Sequence, residues 1–199
     1  MRGKTIVIDR EYGSGGREVA KLLSGKLVIP FYDGELLVIA SEKYGIDLGM
    51  MKDYDEKRMG SVLYSIAMAT SYASNFDKIT QPYEIYEAQA KVMRQLVSEG
   101  PCIFLGRCAG EILKDETELL NVFIYSDDQH AKMERIIKVD GVTQGNAATQ
   151  LYKKDVQRGN YYHYFSKKAW GDRNNYDLCL NTGKLGYEKV ADILAAAVK

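Results

Sequence analysis

In the stretch Ile6-Val7-Ile8-Asp9-Arg10-Glu11-Tyr12-Gly13-Ser14-Gly15-Gly16-Arg17-Glu18, three glycines fall within four positions. An apolar run precedes them. Val19, Leu22 and Leu23 follow at helical spacing, so the stretch reads as strand, tight turn and helix start near Gly16. Such a turn aims several backbone N–H groups at one point, and the helix N-terminus adds a partial positive charge. A phosphate can bind there without a side-chain cation. Glycine is needed because a Cβ blocks close approach or forbids positive φ. Gly13, Ser14, Gly15, Gly16, Arg17 and Glu18 are therefore the candidate phosphate-holding residues.

Two other readings of this stretch stay open. A dinucleotide-binding turn needs G-x-G-x-x-G; Gly13 and Gly15 fit, and Glu18 fails. Asp33, 20 residues beyond Gly13, weakly mimics the ribose-binding acid of that fold. A tight turn with no ligand is the other. The phosphate loop G-x-x-x-x-G-K-[ST] is not matched in full. With Gly15 as its last glycine, Gly16 stands at the lysine and Glu18 where nucleotide kinases place a magnesium-binding hydroxyl. Arg17, one position on, is the residue expected to replace the lysine, because guanidinium binds phosphate in a bidentate way.

Four further residues can join this chemistry. Arg107 follows the apolar strand Cys102 to Leu105, and Asp33 follows a short strand read over Leu27 to Tyr32. Both fall at the carboxyl edge of a parallel sheet, where open α/β folds bind ligands. Arg107 is expected to hold an acceptor's phosphate. Asp33 is expected either to orient a magnesium-bound water or take a proton, or to cap the helix beginning near Gly34. Arg135 and Arg158 sit on separate helices around the Gly-rich segment Asp140 to Asn146, as a closing lid requires. Lys132, Lys153 and Lys154 are further lid candidates, with a solvated face as the default for lysines on a charged helix, and Lys153 and Lys154 are set aside on that ground. Tyr161, Tyr162, Tyr164 and Phe165 read as packing rather than as base-stacking groups.

The elements that must position these residues alternate. Strands at Thr5 to Asp9, Cys102 to Leu105, Leu120 to Tyr125 and Leu178 to Leu180 are separated by amphipathic helices. Ile85, Ala88, Val92 and Leu96 mark a long helix that Gly100-Pro101 stops. Val62, Ile66, Ala69 and Ala73 mark another. Asp127 or Asp128 caps the helix carrying Ile136, and a charged helix runs to about Arg158. The sum is one domain over 1–199: a three-layer α/β fold with five parallel strands, a helical insertion over about 44–80 and a lid over about 138–168.

The bulk numbers narrow the function. Lys plus Arg and Asp plus Glu number 27 each in 199 residues, so no net field favours nucleic acid or membrane. The apolar runs are too short to span a bilayer. The opening MRGKTIVIDR lacks the apolar stretch of a signal peptide, which predicts a cytoplasmic protein. Three cysteines without C-x-x-C spacing and two histidines argue for free thiols rather than a zinc site.

The strings Arg10 to Glu18, Ile29-Pro30-Phe31-Tyr32-Asp33, Gly106-Arg107-Cys108-Ala109, Arg158-Gly159-Asn160-Tyr161-Tyr162, Trp170-Gly171-Asp172 and Asn175 to Thr182 resemble the cytidylate kinase-like proteins, in order and along nearly the whole chain. The resemblance implies a P-loop nucleoside monophosphate kinase fold, with an acceptor-binding insertion and a basic lid. It implies a small-molecule nucleotide partner, ATP with Mg2+ as donor, and CMP or dCMP as acceptor, whose phosphate Arg107 would hold. No direct protein ligand for the ion is assigned. Leu105 and Cys108 stand where true cytidylate kinases carry acids. Two rival functions follow from the departures: a non-catalytic nucleotide-binding regulator, or a kinase of another small hydroxyl compound. The sequence leaves the oligomeric state open.

Overall fold

The computed structural model describes residues 4–49 and 76–198. The expected helix at Val62 to Ala73, and most of the expected insertion, lie outside those residues.

Strand β1 (Thr5–Arg10) is buried along its whole length, as a central parallel strand covered on both faces must be. It leads through the glycine turn into α1 (Gly16–Leu27). The short β2 (Phe31–Tyr32), α2 (Glu35–Tyr44) and α3 (Phe76–Glu99) follow. Then come β3 (Ile103–Leu105), α4 (Ala109–Leu113), β4 (Leu119–Tyr125) and α5 (Gln129–Asp140). A 3-10 turn, Gln144–Asn146, opens α6 (Ala147–Ser166). The chain closes with β5 (Leu178–Asn181), α7 (Thr182–Leu185) and α8 (Tyr187–Ala197).

The five strands lie in the order β2-β3-β1-β4-β5, and all pairings are parallel, as the alternating pattern predicts. Ile6 pairs with Ile103 on one side and Leu120 on the other, which places β1 at the centre. Successive side chains of a strand point to opposite faces. Val7 and Phe104 therefore meet Leu36, Ile85, Met93 and Leu113 of α2, α3 and α4. Ile6, Ile8 and Val122 meet Val19 and Leu23 of α1 and Val190 and Leu194 of α8. Each such fully buried aliphatic side chain contributes about 1.5–3 kcal/mol. From β1 the chain moves to β2 on one side, and β4 lies on the other. The open edge at the carboxyl end of β1 is thus where a ligand crevice forms.

Two expected spans change. The strand read over Leu27 to Tyr32 shrinks to Phe31–Tyr32, because Lys26 and Leu27 complete the last turn of α1. Val28 caps that turn in the left-handed region at φ 55°, and Pro30 has no N–H for a ladder. Helix α6 passes Arg158 and continues to Ser166, because Tyr161 and Tyr162 give that end an apolar face. Asp128 caps α5 by accepting from the Ala131 N–H at 2.9 Å. Gly100 ends α3 as expected.

Candidate functional site

The glycine turn is built as an open nest. Its entry is tied to β4, because the Glu11 N–H donates to the Ile124 carbonyl at 2.9 Å. Gly13 and Gly15 take φ +78° and +81°, where a side chain is strained. Gly15 also has no room for one: a Cβ would lie 2.3 Å from the Tyr187 ring. Gly15 precedes α1 without a side-chain cap. The amides of Gly13, Gly15, Gly16, Arg17 and Glu18 take no acceptor among the described residues. Those of the first helical turn are the orphan donors that bind anions. Ser14, one of the expected phosphate-holding residues, is engaged within the turn. Its N–H goes to the Glu11 carbonyl (3.3 Å), and its buried hydroxyl donates to the same oxygen (2.8 Å). Ser14 shapes the turn, and the Thr182 hydroxyl buckles it from α7 at 2.7 Å from the Ser14 carbonyl.

A cavity of about 490 Å³ opens over this turn. Arg10, Arg17, Asp33, Arg135, Lys154 and Arg158 are among the groups on its wall. Asp33 is the hub of the far side. Its carboxylate lies 3.1 Å from Arg107 Nη1, 3.5 Å from Arg17 Nε and 3.8 Å from Arg10 Nη2. The capping alternative for Asp33 fails: Gly34 is the N-cap of α2, and no side chain caps that helix. Arg107 is fully buried and also donates to the Leu105 carbonyl at 3.1 Å. It stands behind Asp33 rather than on the cavity wall. Gly106, Arg107 and Cys108 run at φ 70°, 56° and 55°, three consecutive left-handed residues. Two of them are not glycine, the kind of strain that concentrates at binding sites.

Arg135 and Arg158 arrive on separate helices and are latched to the turn. Arg135 of α5 binds the Glu18 carboxylate and lies over the Tyr187 ring, 5.6 Å from its centroid. Arg158 of α6 donates to the Arg10 carbonyl at 2.9 Å and lies 3.7 Å from Asp155. Asp155 accepts from the Tyr12 N–H at 2.6 Å. Burial pushes the Asp155 carboxyl up, against the opposing pull of that N–H and of Arg158 and Lys132. The Tyr12 hydroxyl donates to Asp140 at 2.7 Å, and burial and that carboxylate push its pKa up. Lys132, read from sequence as a lid candidate with a solvated default, is instead buried against Glu11 at 2.8 Å. The aromatic run after Arg158 packs as expected: Phe165 stacks on Tyr86 with centroids 4.0 Å apart.

Sequence reasoning missed Arg10, Tyr12, Asp155 and Gln89. Arg10 carried a usable signal, since it falls at the first glycine of the G-x-x-x-x-G-K pattern. Gln89 carried none. It is fully buried on α3, and neither atom of its amide has a hydrogen-bond partner among the described residues. Among the described residues no cluster of His, Cys, Asp or Glu has the makings of a metal site, and no helix is long and apolar enough to cross a membrane. The three cysteines are free thiols.

Known proteins share this fold. An uncharacterized protein from Eubacterium ventriosum superposes with a TM-score of 0.71 at 26% identity, over 98% of both chains. A shikimate kinase from Bacteroides thetaiotaomicron gives a TM-score of 0.53 at 14% identity over 98% of each, a likeness of fold. Such neighbours place the architecture among the P-loop kinases. A uronate isomerase from Corynebacterium glutamicum is 28% identical over 114 residues, 54% of this chain. The match spans only 22% of that protein's length. A sequence profile of the cytidylate kinase-like family matches residues 5–184, and the chain belongs to that family.

Proposed function

We propose that the protein transfers the γ-phosphoryl group of ATP to a nucleoside monophosphate, with CMP or dCMP as the first candidates. One observation carries this reading: the first turn of α1 presents unengaged amides to a cavity whose wall is rich in arginine. A polyphosphate fits that donor set. The kinase-like family and fold support nucleotide-dependent phosphotransfer as the class of chemistry.

The amides of Gly15 to Glu18 would hold the donor phosphates, and Arg17, Arg135 and Arg158 would crowd the transferring group. Phosphoryl transfer depends chiefly on such positioning and charge stabilisation. An oxygen of the acceptor's phosphate attacks the γ-phosphorus, the bond to the β–γ bridging oxygen breaks, and its electron pair leaves on ADP. A dianionic phosphate acceptor has no proton to lose in this step. Asp33 accepts from Arg107 at 3.1 Å and faces Arg17 and Arg10 at 3.5 and 3.8 Å, so it is engaged as a counter-ion. That arrangement suits a phosphate acceptor better than a hydroxyl that needs a base. Arg107, buried behind Asp33, would hold that carboxylate in place, and Arg10 and Arg17, which face it from the cavity wall, would position the acceptor's phosphate. Mg2+ would supply charge neutralisation on the triphosphate. Glu18 lies at the usual hydroxyl position but is engaged by Arg135, so the ion would be held through the nucleotide and water.

A second reading, a nucleotide-binding regulator without turnover, is favoured by Gly16 at the lysine position. One experiment separates the two. A thermal-shift screen of nucleotides with and without Mg2+ is followed by single-turnover ADP release over a panel of monophosphates and small hydroxyl acceptors. A ligand at 100 times its dissociation constant stabilises by about 2.7 kcal/mol. Kinase action predicts an ADP burst with a monophosphate, and the regulator predicts a shift without a burst. No shift with any nucleotide refutes both.

A further inference from the structure

We propose that Arg10 supplies the phosphate-binding cation that a lysine supplies in the regular loop, and that Gly16 is glycine because Arg10 occupies its side-chain space. The inference rests on the reading of the turn as a polyphosphate site and adds the residue that completes it.

The chain departs from G-x-x-x-x-G-K at both ends of the motif. With Gly15 as the second glycine, Arg10 stands at the first and Gly16 at the lysine. The structure makes these one departure rather than two. A Cβ built on Gly16 lies 2.6 Å from Arg10 Cβ and 2.8 Å from Arg10 Cγ. Of these, the Cβ cannot swing aside like the tip of a long side chain, because it is fixed to the backbone of the last residue of a buried strand. A long side chain can be rooted at position 10 or at position 16, but not at both. In this chain it is rooted at 10.

The head group goes where the chemistry needs it. Arg10 is only 6% exposed and lies on the wall of the cavity above the open amides. Its Nη2 is 3.8 Å from Asp33, so the guanidinium reaches from the mouth of α1 toward the acceptor edge. Its carbonyl accepts from Arg158, which fastens the strand end beneath α6. Arg17, the replacement expected from sequence, has a side chain 54% exposed, and its Nε lies 3.5 Å from Asp33. It serves the rim, while Arg10 serves the floor. A guanidinium at the floor offers a fork of donors with a fixed charge, suited to two oxygens of a di- or triphosphate.

The test is a swap. Arg10→Gly, Arg10→Met, Gly16→Lys and the double variant Arg10→Gly/Gly16→Lys are compared with the native chain. Folding is checked by circular dichroism and melting, and binding of ATP and of inorganic tripolyphosphate by titration calorimetry. Loss of one charge-assisted contact predicts about 10- to 100-fold weaker binding for Arg10→Gly and Arg10→Met, for both probes. Gly16→Lys alone melts lower because it collides with Arg10. The double variant regains binding to within about threefold of native, since one ordinary lysine now fills the vacated space. Tripolyphosphate affinity within about twofold of native in the folded Arg10→Met chain overturns the assignment and leaves the kinase reading standing. A double variant no better than Arg10→Gly overturns it too. A native chain that binds neither probe overturns both.

Discussion

Asp33 is the residue whose removal tests the electrostatic design most directly. It lies 3.1 Å from Arg107, whose side chain is 1% exposed, while its own is 11% exposed. Replacing Asp33 by Leu takes away the carboxylate that faces Arg107 and Arg10 and leaves two guanidinium groups in a desolvated edge. Breaking one side of a buried pair costs about 3–5 kcal/mol. The Arg17 contact adds little, because that side chain is mostly in solvent. For a chain of this size the loss corresponds to a melting temperature lower by about 6–20 °C. Asp33→Asn, which keeps one acceptor oxygen, should fall between native and Asp33→Leu. Urea unfolding gives the free energies, with an unchanged slope as the check that compactness is retained. Arg107→Met should also destabilise, and the double variant Asp33→Leu/Arg107→Met should lose less than the sum of the singles by about 0.5–3 kcal/mol. A loss below about 1 kcal/mol for Asp33→Leu, or strict additivity, would refute the claim that this carboxylate holds the arginines in place.

Other tests reach different parts of the molecule. Gly15→Ala should destabilise by about 2–5 kcal/mol, combining a left-handed Cβ with overlap on the Tyr187 ring. In a Tyr187→Ala background the steric part should vanish, and an equal loss in both backgrounds contradicts the contact. Cys102 is buried, which pushes its thiol up to about 12, and Cys108 is buried beside the Tyr162 carbonyl, whereas Cys179 is exposed. A thiol reagent at neutral pH should therefore titrate one cysteine in the native protein and three in denaturant; prompt reaction of two or more in the native state goes against the packing. Gln89→Leu should raise the melting temperature, because the buried amide atoms have no partner among the described residues and an unsatisfied group costs about 1–3 kcal/mol. A drop of more than about 1 kcal/mol would show that the amide is used.

The parts of the fold legible in sequence were those written in local pattern. The apolar run Ile6-Val7-Ile8 before glycines, the helical spacing of Val19 and Leu23, the stop at Gly100 and the cap at Asp128 each act over a few residues. What was not legible acts across the chain. Arg107 meets Asp33 over 74 positions, and Arg158 meets the Arg10 carbonyl over 148. No periodicity encodes such pairs. Lys132 read as a lid candidate with a solvated default, yet its head group turns inward to Glu11. Arg10 fell just past the strand read over Thr5 to Asp9, with no role assigned to it. Only the overlap that a Cβ on Gly16 would make with its side chain gives it meaning.

The cavity wall carries Arg10, Arg17, Lys21, Arg135, Lys154 and Arg158 against Glu11, Glu18, Asp33 and Asp140, in a chain whose charges cancel. Two of those carboxylates already hold arginines of the site: Glu18 holds Arg135, and Asp33 faces Arg10 and Arg17. On the proposed reading an incoming polyphosphate therefore does not meet bare cations. It exchanges with internal anions that have kept the guanidinium groups ordered and partly desolvated. Pre-ordering lowers the entropy cost of binding, while the exchange removes much of the Coulomb gain. A single phosphate competes poorly under these terms, because it replaces one carboxylate with one anion of similar kind. On the proposed reading a triphosphate would reach the helix amides, Arg10, Arg135 and Arg158 together, whereas Glu18 holds Arg135 and Asp33 faces Arg10 and Arg17. Selectivity for a chain of phosphates over an isolated one would then follow from the counter-ions as much as from the cations.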